Sequence, residues 1–241
     1  MKREEMKEDK FMGRTAEELA KLHAFVPPAE LNPWHVDPGP GMWTQLWAWF
    51  KQAKETTLDE CKLSAADTER FNAWKDEIMG PDFAKAEAEL KMLEEVTTAV
   101  GSPVVFCHND ALAENILVVN EEEILLIDFE YGGCNYRGFD IANHWNEWAG
   151  GTQAEMNGVP VYADFPTPEK QLVFCERYLA AAGGGGDAAA LNEEANKFVL
   201  ANHWYWGLWG LNQAVTEGCD TFDYLLYWQN RLKEYYTAKG K

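Results

Sequence analysis

Apolar residues recur with two different spacings along the chain, and the change of spacing predicts its elements. Between residues 83 and 100 they return every three or four positions, which is a helical period, and Gly101 follows the last of them. Three short aliphatic runs come next, and such runs are typical of strands. They are VVFC at 104–107, ILVV at 116–119 and ILLI at 124–127. Polar residues 120–123 join the last two runs, so the sequence predicts a β-hairpin there.

Helical patterns occupy most of the remaining chain. Residues 15–25 predict a helix with Thr15 at its N-cap, because Glu18 three positions later completes a capping box. Further helices are predicted at 58–79, 81–100, 139–149, 168–182, 191–216 and 221–238, with a Pro/Gly-rich connector at 26–43 and a GGGG joint at 183–186. The predicted fold class is therefore mainly α with a small β-hairpin (α+β). We expect a single domain over residues 1–241, of which residues 1–12 are a charged N-terminal extension.

Composition narrows the class of partner. The formal net charge of −19 repels nucleic-acid phosphates and anionic membranes, so neither is expected as a partner. No apolar run is long enough for a transmembrane helix, and the first 14 residues lack the apolar core of a secretory signal. The five cysteines are scattered without a C-x-x-C pair, which favours reduced thiols. Neither zinc nor haem is expected. We expect an intracellular protein, most simply a cytoplasmic one, with assembly inside an organelle left open.

Acids and an amide surround the predicted hairpin. Asp110 follows the first strand, Asn115 stands five positions later at the mouth of the hairpin, and Asp128 ends its second strand. The hairpin returns Asp128 next to Asn115, so both can hold one Mg²⁺ through oxygen atoms. Asp110 can then accept the proton of a substrate hydroxyl in phosphoryl transfer. The alternative is three unrelated loop and turn residues.

The order of these residues resembles that of kinases. Protein kinases carry H-R-D-x-x-x-x-N, a hairpin and D-F-G, and this chain carries His108-Asn109-Asp110, Asn115, a hairpin and Asp128-Phe129-Glu130. Over almost its whole length the chain is similar to the choline/ethanolamine kinase family. The stretches that carry the resemblance are HNDALAENIL, IDFEYGGCNYRGFDIANHW and NHWYWGLWGLNQA. The resemblance implies the C-terminal lobe of a protein-kinase-like fold, lacking the N-terminal nucleotide lobe, and Mg²⁺ with ATP as cofactors.

The resemblance also assigns roles to single residues. It makes Asp110 the catalytic base and Asn115 and Asp128 the magnesium ligands, and it pairs Glu147 with a cationic amino-alcohol head. Aromatic faces attract such a cation, and the candidates are Tyr131, Trp206, Trp209 and Tyr227. Packing in the core is the competing interpretation of the two tryptophans.

Five further polar residues have supporting or structural interpretations. We expect His108 to brace the loop by hydrogen bonding. Two interpretations of Asp140 stay open: it orders the same loop, or it is only a helix N-terminal charge. His23, His144 and His203 have no metal-like spacing and are interpreted as structural.

Two functional hypotheses follow. The first is ATP-dependent phosphorylation of ethanolamine or choline, with a nucleotide lobe supplied from elsewhere, since the first hundred residues predict no five-stranded sheet. NHWNEWAG, together with Thr152 where an aromatic residue is common in choline-type members, favours ethanolamine. The second is a non-catalytic kinase-like lobe that serves as a subunit of a larger complex, with a protein partner over the face of the missing lobe. An aminoglycoside phosphotransferase ranks lower, because it leaves NYRGFDIANHWNEW unexplained. Whether residue 1 is the natural start stays open.

Overall fold

The computed structural model describes residues 1–26, 28, 39–56, 61–120 and 123–240. Its α-helices are α1 (Arg3–Met6), α2 (Asp9–His23), α3 (Gly41–Glu55), α4 (Ala65–Met79), α5 (Ala84–Ala99), α6 (Arg137–Glu147), α7 (Pro168–Ala181), α8 (Ala188–Glu217) and α9 (Tyr224–Lys239). Its strands are β1 (Val104–Cys107), β2 (Ile116–Val118), β3 (Ile124–Leu126) and β4 (Gly133–Tyr136). The predicted fold class, mainly helical with a little antiparallel β structure, is confirmed.

The chain divides into two compact units. Unit 1 contains Met1–Gly41, Val100–Ala149 and Tyr162–Val199. Unit 2 contains Met42–Ala99, Gly150–Val161 and Leu200–Lys241. The single domain predicted over residues 1–241 stays a prediction. Most of the predicted connector 26–43 and half of the predicted loop 120–123 lie outside the described residues.

Unit 1 holds all four described strands, in two antiparallel pairs. The hairpin β2–β3 pairs Ile116 with Leu126, as the sequence predicts. The partner of β1 was missed: β4 pairs with it from Val104 opposite Tyr136 to Cys107 opposite Gly133. The β4 sequence GCNY contains neither an aliphatic run nor an alternating pattern, so nothing in it predicts a strand.

The hairpin presents an apolar surface to solvent. Side chains alternate between the two faces of a strand, and on β2 and β3 the even-numbered Ile116 and Ile124 are buried. The odd-numbered large apolar side chains are 40% to 49% exposed, and we call them the hairpin outer face. They are Leu117, Val119, Leu125 and Ile127.

The helix α2 forms one side of the unit 1 core. Ala16, Leu19 and Ala20 are buried on one face, as the period predicts. The predicted N-cap at Thr15 is wrong, because the helix begins six residues earlier, at Asp9. Thr15 is buried in mid-helix, and its hydroxyl donates to the carbonyl of Phe11 at 2.9 Å. The predicted N-terminal extension contains α1 and the start of α2, with Met6 and Met12 buried.

Unit 2 is helical in the part of it that the structure describes. The apolar stripe predicted for residues 83–100 is buried at Phe83, Leu90 and Leu93. The predicted start at Pro81 is a short 3₁₀ turn, Pro81–Phe83, and α5 begins at Ala84 because Asp82 takes a left-handed φ of 51°. In the described part of the chain, no helix is both long enough and apolar enough to cross a bilayer.

Candidate active site

The loop after β1 is fixed by one buried carboxylate. Asp140 lies in the first turn of α6 and is 0% exposed. Its two oxygens accept the backbone N–H groups of His108 at 2.8 Å and of Asn109 at 2.7 Å. Burial opposes its ionisation, but the hydrogen bond from His23 holds the Asp140 pKa below its usual value. These hydrogen bonds fit the first interpretation of Asp140, in which its side chain orders the loop.

A buried histidine completes this anchor. His23, on α2, lies with Nε2 2.9 Å from Asp140 Oδ2 and with Nδ1 2.8 Å from the Tyr178 hydroxyl. Sequence analysis gave neither His23 nor Tyr178 a place near the site. The residues bonded to His23 are 117 and 155 positions away from it, and no local pattern relates positions so far apart.

A second missed residue supports the loop from β4. The side-chain amide of Asn135 donates to Asn109 Oδ1 at 2.8 Å, and that of Asn109 donates to the carbonyl of Tyr131 at 2.8 Å. Asn109 has a left-handed φ of 67°, a conformation that asparagine adopts more readily than most residues. The unpredicted strand β4 therefore helps to position the loop.

His108 connects the loop to the end of the hairpin. Its Nε2 is 2.8 Å from the carbonyl of Ile127, which can only accept, so Nε2 carries the hydrogen. Its Nδ1 then accepts the backbone N–H of Asp110 at 3.3 Å. The ring also lies 4.7 Å from that of Phe129, centroid to centroid. These contacts fit the bracing role expected of His108.

Asp110 and Asn115 are in direct contact. The Asn115 amide nitrogen donates to the Asp110 carbonyl at 2.9 Å and to its carboxylate at 3.0 Å. Asp110 is 9% exposed. Burial raises its pKa well above the usual value, and the negative charges of Glu147, Glu130 and Asp128 raise it further. The loop therefore concentrates carboxylates around a buried acid.

Asp128 follows the hairpin on the strand opposite Asn115. The N–H of Ile127 donates to the Asn115 carbonyl at 2.9 Å, which extends the hairpin pairing by one residue. Asp128 then takes a left-handed φ of 63°. Non-glycine residues with positive φ recur at functional sites, where the surrounding structure has to stabilise them. The shared metal position of Asn115 and Asp128 stays a prediction.

The predicted head-group residues are divided between the two units. Glu147 ends α6 in unit 1 and is 3% exposed, and its charge acts on Asp110. In unit 2 the rings of Trp206 and Trp209 lie 5.6 Å apart, and those of Trp209 and Tyr227 lie 6.0 Å apart. Trp206 and Tyr227 are 4% and 1% exposed, which fits core packing as well as a cation pocket. Joint use of both sets by one ligand stays a prediction.

Comparison with known proteins gives one consistent result. A family model described as "Choline/ethanolamine kinase" matches residues 1–236. Rat ethanolamine kinase 2 is 33% identical over 98% of this chain and 55% of its own length, and a probable ethanolamine kinase of Arabidopsis thaliana is 33% identical over 98% and 57%. An ethanolamine kinase structure from Plasmodium vivax superposes with a TM-score of 0.78 at 28% identity, covering 98% of this chain and 61% of that one. The chain thus spans between half and two thirds of these relatives.

Proposed function

The chain belongs to the choline/ethanolamine kinase family, and we propose that it phosphorylates the hydroxyl of ethanolamine, or of choline, with ATP and Mg²⁺ in phospholipid synthesis. The observation that carries the proposal is the loop after β1. Its backbone is held at two N–H groups by Asp140, and its Asp110 carboxylate is bonded to Asn115. These contacts hold the proposed base in one position before a substrate binds, which lowers the entropic cost of the reaction.

In the proposed reaction the substrate oxygen attacks the γ-phosphorus of ATP. The bond to the β-phosphate oxygen breaks, ADP leaves, and the hydroxyl proton passes to Asp110. Asp110 has to be ionised to accept that proton. Its raised pKa works against this in the ligand-free chain, and a cation bound nearby stabilises the ionised form.

Asn115 and Asp128 fit Mg²⁺ by the chemistry of their donor atoms. Mg²⁺ binds through oxygen atoms, and these residues offer an amide and a carboxylate oxygen. The Asn115 side chain donates two hydrogen bonds from its nitrogen to Asp110, which turns its oxygen away from Asp110. When bound, the metal neutralises phosphate charge.

For the substrate head we propose Glu147 as the charge partner of the ammonium group. Tyr131, Trp206, Trp209 and Tyr227 would supply aromatic faces. A primary ammonium donates hydrogen bonds to a carboxylate, which the quaternary ammonium of choline cannot do. Together with Thr152 at a position where choline-type members often carry an aromatic residue, this favours ethanolamine.

The hairpin outer face supports the need for a nucleotide lobe. It places four large apolar side chains in solvent, among them the cross-strand pair Leu117 and Leu125, at 48% and 45% exposure. Large exposed apolar patches mark interaction sites. We propose that a lobe outside the described residues covers this face and supplies most ATP contacts. The charge of −19 keeps nucleic acid out of the proposed partners.

The same face favours a second candidate function. A kinase-like lobe without turnover could serve as an assembly subunit, with a protein partner on the hairpin outer face in place of a nucleotide lobe. The proposed location, intracellular and most simply cytoplasmic, is the same for both candidates.

Calorimetric titration separates the two candidates. We expect ethanolamine to bind the chain more tightly than choline, and Glu147→Gln to weaken ethanolamine binding by about tenfold, the loss of one charge-assisted hydrogen bond. Tighter binding of choline contradicts the substrate preference. Absence of binding by either amino alcohol contradicts the kinase proposal and favours the assembly subunit.

A further inference from the structure

A buried line of hydrogen bonds connects helix α7 to the loop that carries Asp110. It begins at the Tyr178 hydroxyl, passes through both ring nitrogens of His23 and reaches Asp140 Oδ2. From Asp140 it continues to the backbone N–H groups of His108 and Asn109. Tyr178 is 3% exposed and His23 is 7% exposed. The remote end of this line, Tyr178, has no role in the proposed reaction so far.

The direction of each hydrogen bond follows from the donors available. Asp140 accepts two backbone N–H groups, and an ionised carboxylate can only accept. The hydrogen between Asp140 and His23 therefore belongs to Nε2. In a neutral ring Nδ1 is then the acceptor, so the bond to Tyr178 requires its hydroxyl to donate. The low pKa of Asp140 agrees with this arrangement, because the hydrogen bond from His23 stabilises the carboxylate.

We propose that Tyr178 is a positioning residue for phosphoryl transfer: its hydroxyl fixes the orientation of the His23 ring, which holds Asp140 on the loop bearing Asp110. Only the kinetic part of this inference, the effect on kcat and KM, rests on the proposed function. Removing a group that orients a histidine in a metal site costs about 10–100-fold in affinity or activity, and we expect a loss of the same order here.

Few groups near Tyr178 could replace its hydroxyl as the hydrogen-bond donor to His23. Its ring lies 5.6 Å from that of His23, and the Arg137 guanidinium lies 6.0 Å from the ring centroid. Arg137 is already paired with Glu194 through two nitrogens. Burial raises the Tyr178 pKa further above its usual value, so the phenol keeps its hydrogen at physiological pH.

The test compares Tyr178→Phe with a matched control, Tyr236→Phe. Both remove one hydroxyl hydrogen bond, but Tyr236 donates to the carbonyl of Ile78 in unit 2. Three quantities are measured on the full chain: the nitrogen chemical shifts of the His23 ring, the exchange rates of the His108 and Asn109 amide hydrogens, and kcat and KM. A further pair, His23→Gln and His23→Leu, tests rescue, since glutamine can donate to Asp140 and accept from Tyr178.

We expect the wild-type ring to be protonated at Nε2 and not at Nδ1. Tyr178→Phe should keep the hydrogen on Nε2, shift the Nδ1 resonance, speed exchange of both amides at least about tenfold, and lower kcat about 10–100-fold with little change in KM. Tyr236→Phe should leave all three unchanged. His23→Gln should keep amide exchange within about threefold of wild type, and His23→Leu should not, because only glutamine retains both hydrogen bonds.

Two outcomes overturn the proposal. One is a wild-type ring that carries a hydrogen on Nδ1, alone or together with Nε2, a measurement that needs no variant to fold. The other is amide exchange that does not change in Tyr178→Phe, or that changes equally in Tyr236→Phe. The shifts and exchange rates require no turnover. If the wild type fails to phosphorylate ethanolamine, the proposed function fails, and the positioning role is still decided by these readouts.

Discussion

The two small sheets of unit 1 contrast in how their side chains are used. The pair β1–β4 is surrounded by hydrogen-bonded polar groups: Asn135 on β4 is 2% exposed and holds the loop after β1. The hairpin β2–β3 has one buried face and one exposed apolar face, with Ile124 at 2% and its neighbour Leu125 at 45%. The loop next to the first sheet is therefore held by other residues of unit 1. The second exposes apolar area that no described residue covers.

The contrast separates two parts of the proposed kinase site. The groups that hold and orient the proposed base, Asp110, are polar, buried and bonded to one another in this chain. Apolar area left in solvent on the neighbouring hairpin is instead what an added lobe needs for docking. We infer that the acceptor side of the site is built by unit 1, and that the hairpin outer face is the side that needs completion.

The largest effect, on kcat, is expected from a substitution in the loop after β1. Asp110→Asn removes the proton acceptor and keeps the shape, so kcat should fall by about 10²–10⁴-fold, the usual contribution of a general base. Stability should not fall with it. Folding raises the Asp110 pKa, so the folded state binds this proton more tightly, and the wild type loses stability as pH rises above the ordinary carboxyl range.

The matched control is Asp220→Asn, at an exposed aspartate of unit 2. It should change neither kcat nor the melting temperature. A melting temperature that drops in Asp110→Asn would show that this carboxylate holds the loop together, and an unchanged kcat would remove it from the reaction.

The next effect tests the two faces of the hairpin. Ile124→Ala deletes a buried side chain and should lower the free energy of unfolding by about 2–5 kcal/mol. Leu125→Ala, one position along the same strand, should change it by no more than about 0.5 kcal/mol. Urea denaturation measures both. Equal losses would mean that the hairpin outer face is packed within this chain, which contradicts the need for a covering lobe.

The same contrast explains what the sequence could predict. The hairpin was predictable because β2 and β3 are aliphatic runs joined by a short polar turn, and the Asp110, Asn115 and Asp128 positions follow from it. The strand β4 was not, because GCNY takes its place through pairing with β1 and through the side-chain bonds of Asn135. Such a strand depends on tertiary contacts rather than on its own composition.

Local sequence patterns could not predict the hydrogen-bond network around Asp140 either. Asp140 was predicted in two ways, and only its hydrogen bonds to two loop N–H groups favour one of them. His23 was interpreted as structural, and its partners Tyr178 and Asp140 were missed because they lie 155 and 117 positions away. Thr15 was predicted as a helix cap, but α2 begins at Asp9, and the Thr15 hydroxyl donates to the carbonyl of Phe11 in mid-helix.

A smaller effect, on stability, is expected when the pH is lowered. His144 donates from Nδ1 to the carbonyl of Ala111 at 2.8 Å, and its Nε2 lies 3.4 Å from the Trp148 indole nitrogen, which can only donate. The buried ring is therefore neutral, and burial lowers its pKa to about 4. Because the unfolded state protonates first, stability should be complete above about pH 6.5 and be lost as pH falls toward about 4, by up to about 3 kcal/mol.

Urea denaturation at a series of pH values measures this loss. His144→Asn keeps a donor for Ala111 but does not titrate, so its stability should depend less on pH over the same range. His203 in unit 2, whose pKa burial also lowers, contributes in the same direction and stays in the variant. An unchanged pH dependence in His144→Asn would contradict the neutral buried ring.

The most direct test of the central claim is formation of phosphoethanolamine from ATP, Mg²⁺ and ethanolamine by the chain alone, followed by phosphorus NMR. The account predicts product that forms well below the usual kinase turnover of about 1–100 per second, because the hairpin outer face is uncovered, and that disappears in Asp110→Asn. Turnover in the ordinary kinase range would contradict the need for a further lobe. Absence of product, or equal product from Asp110→Asn, would contradict the assignment of this loop as a phosphoryl-transfer site.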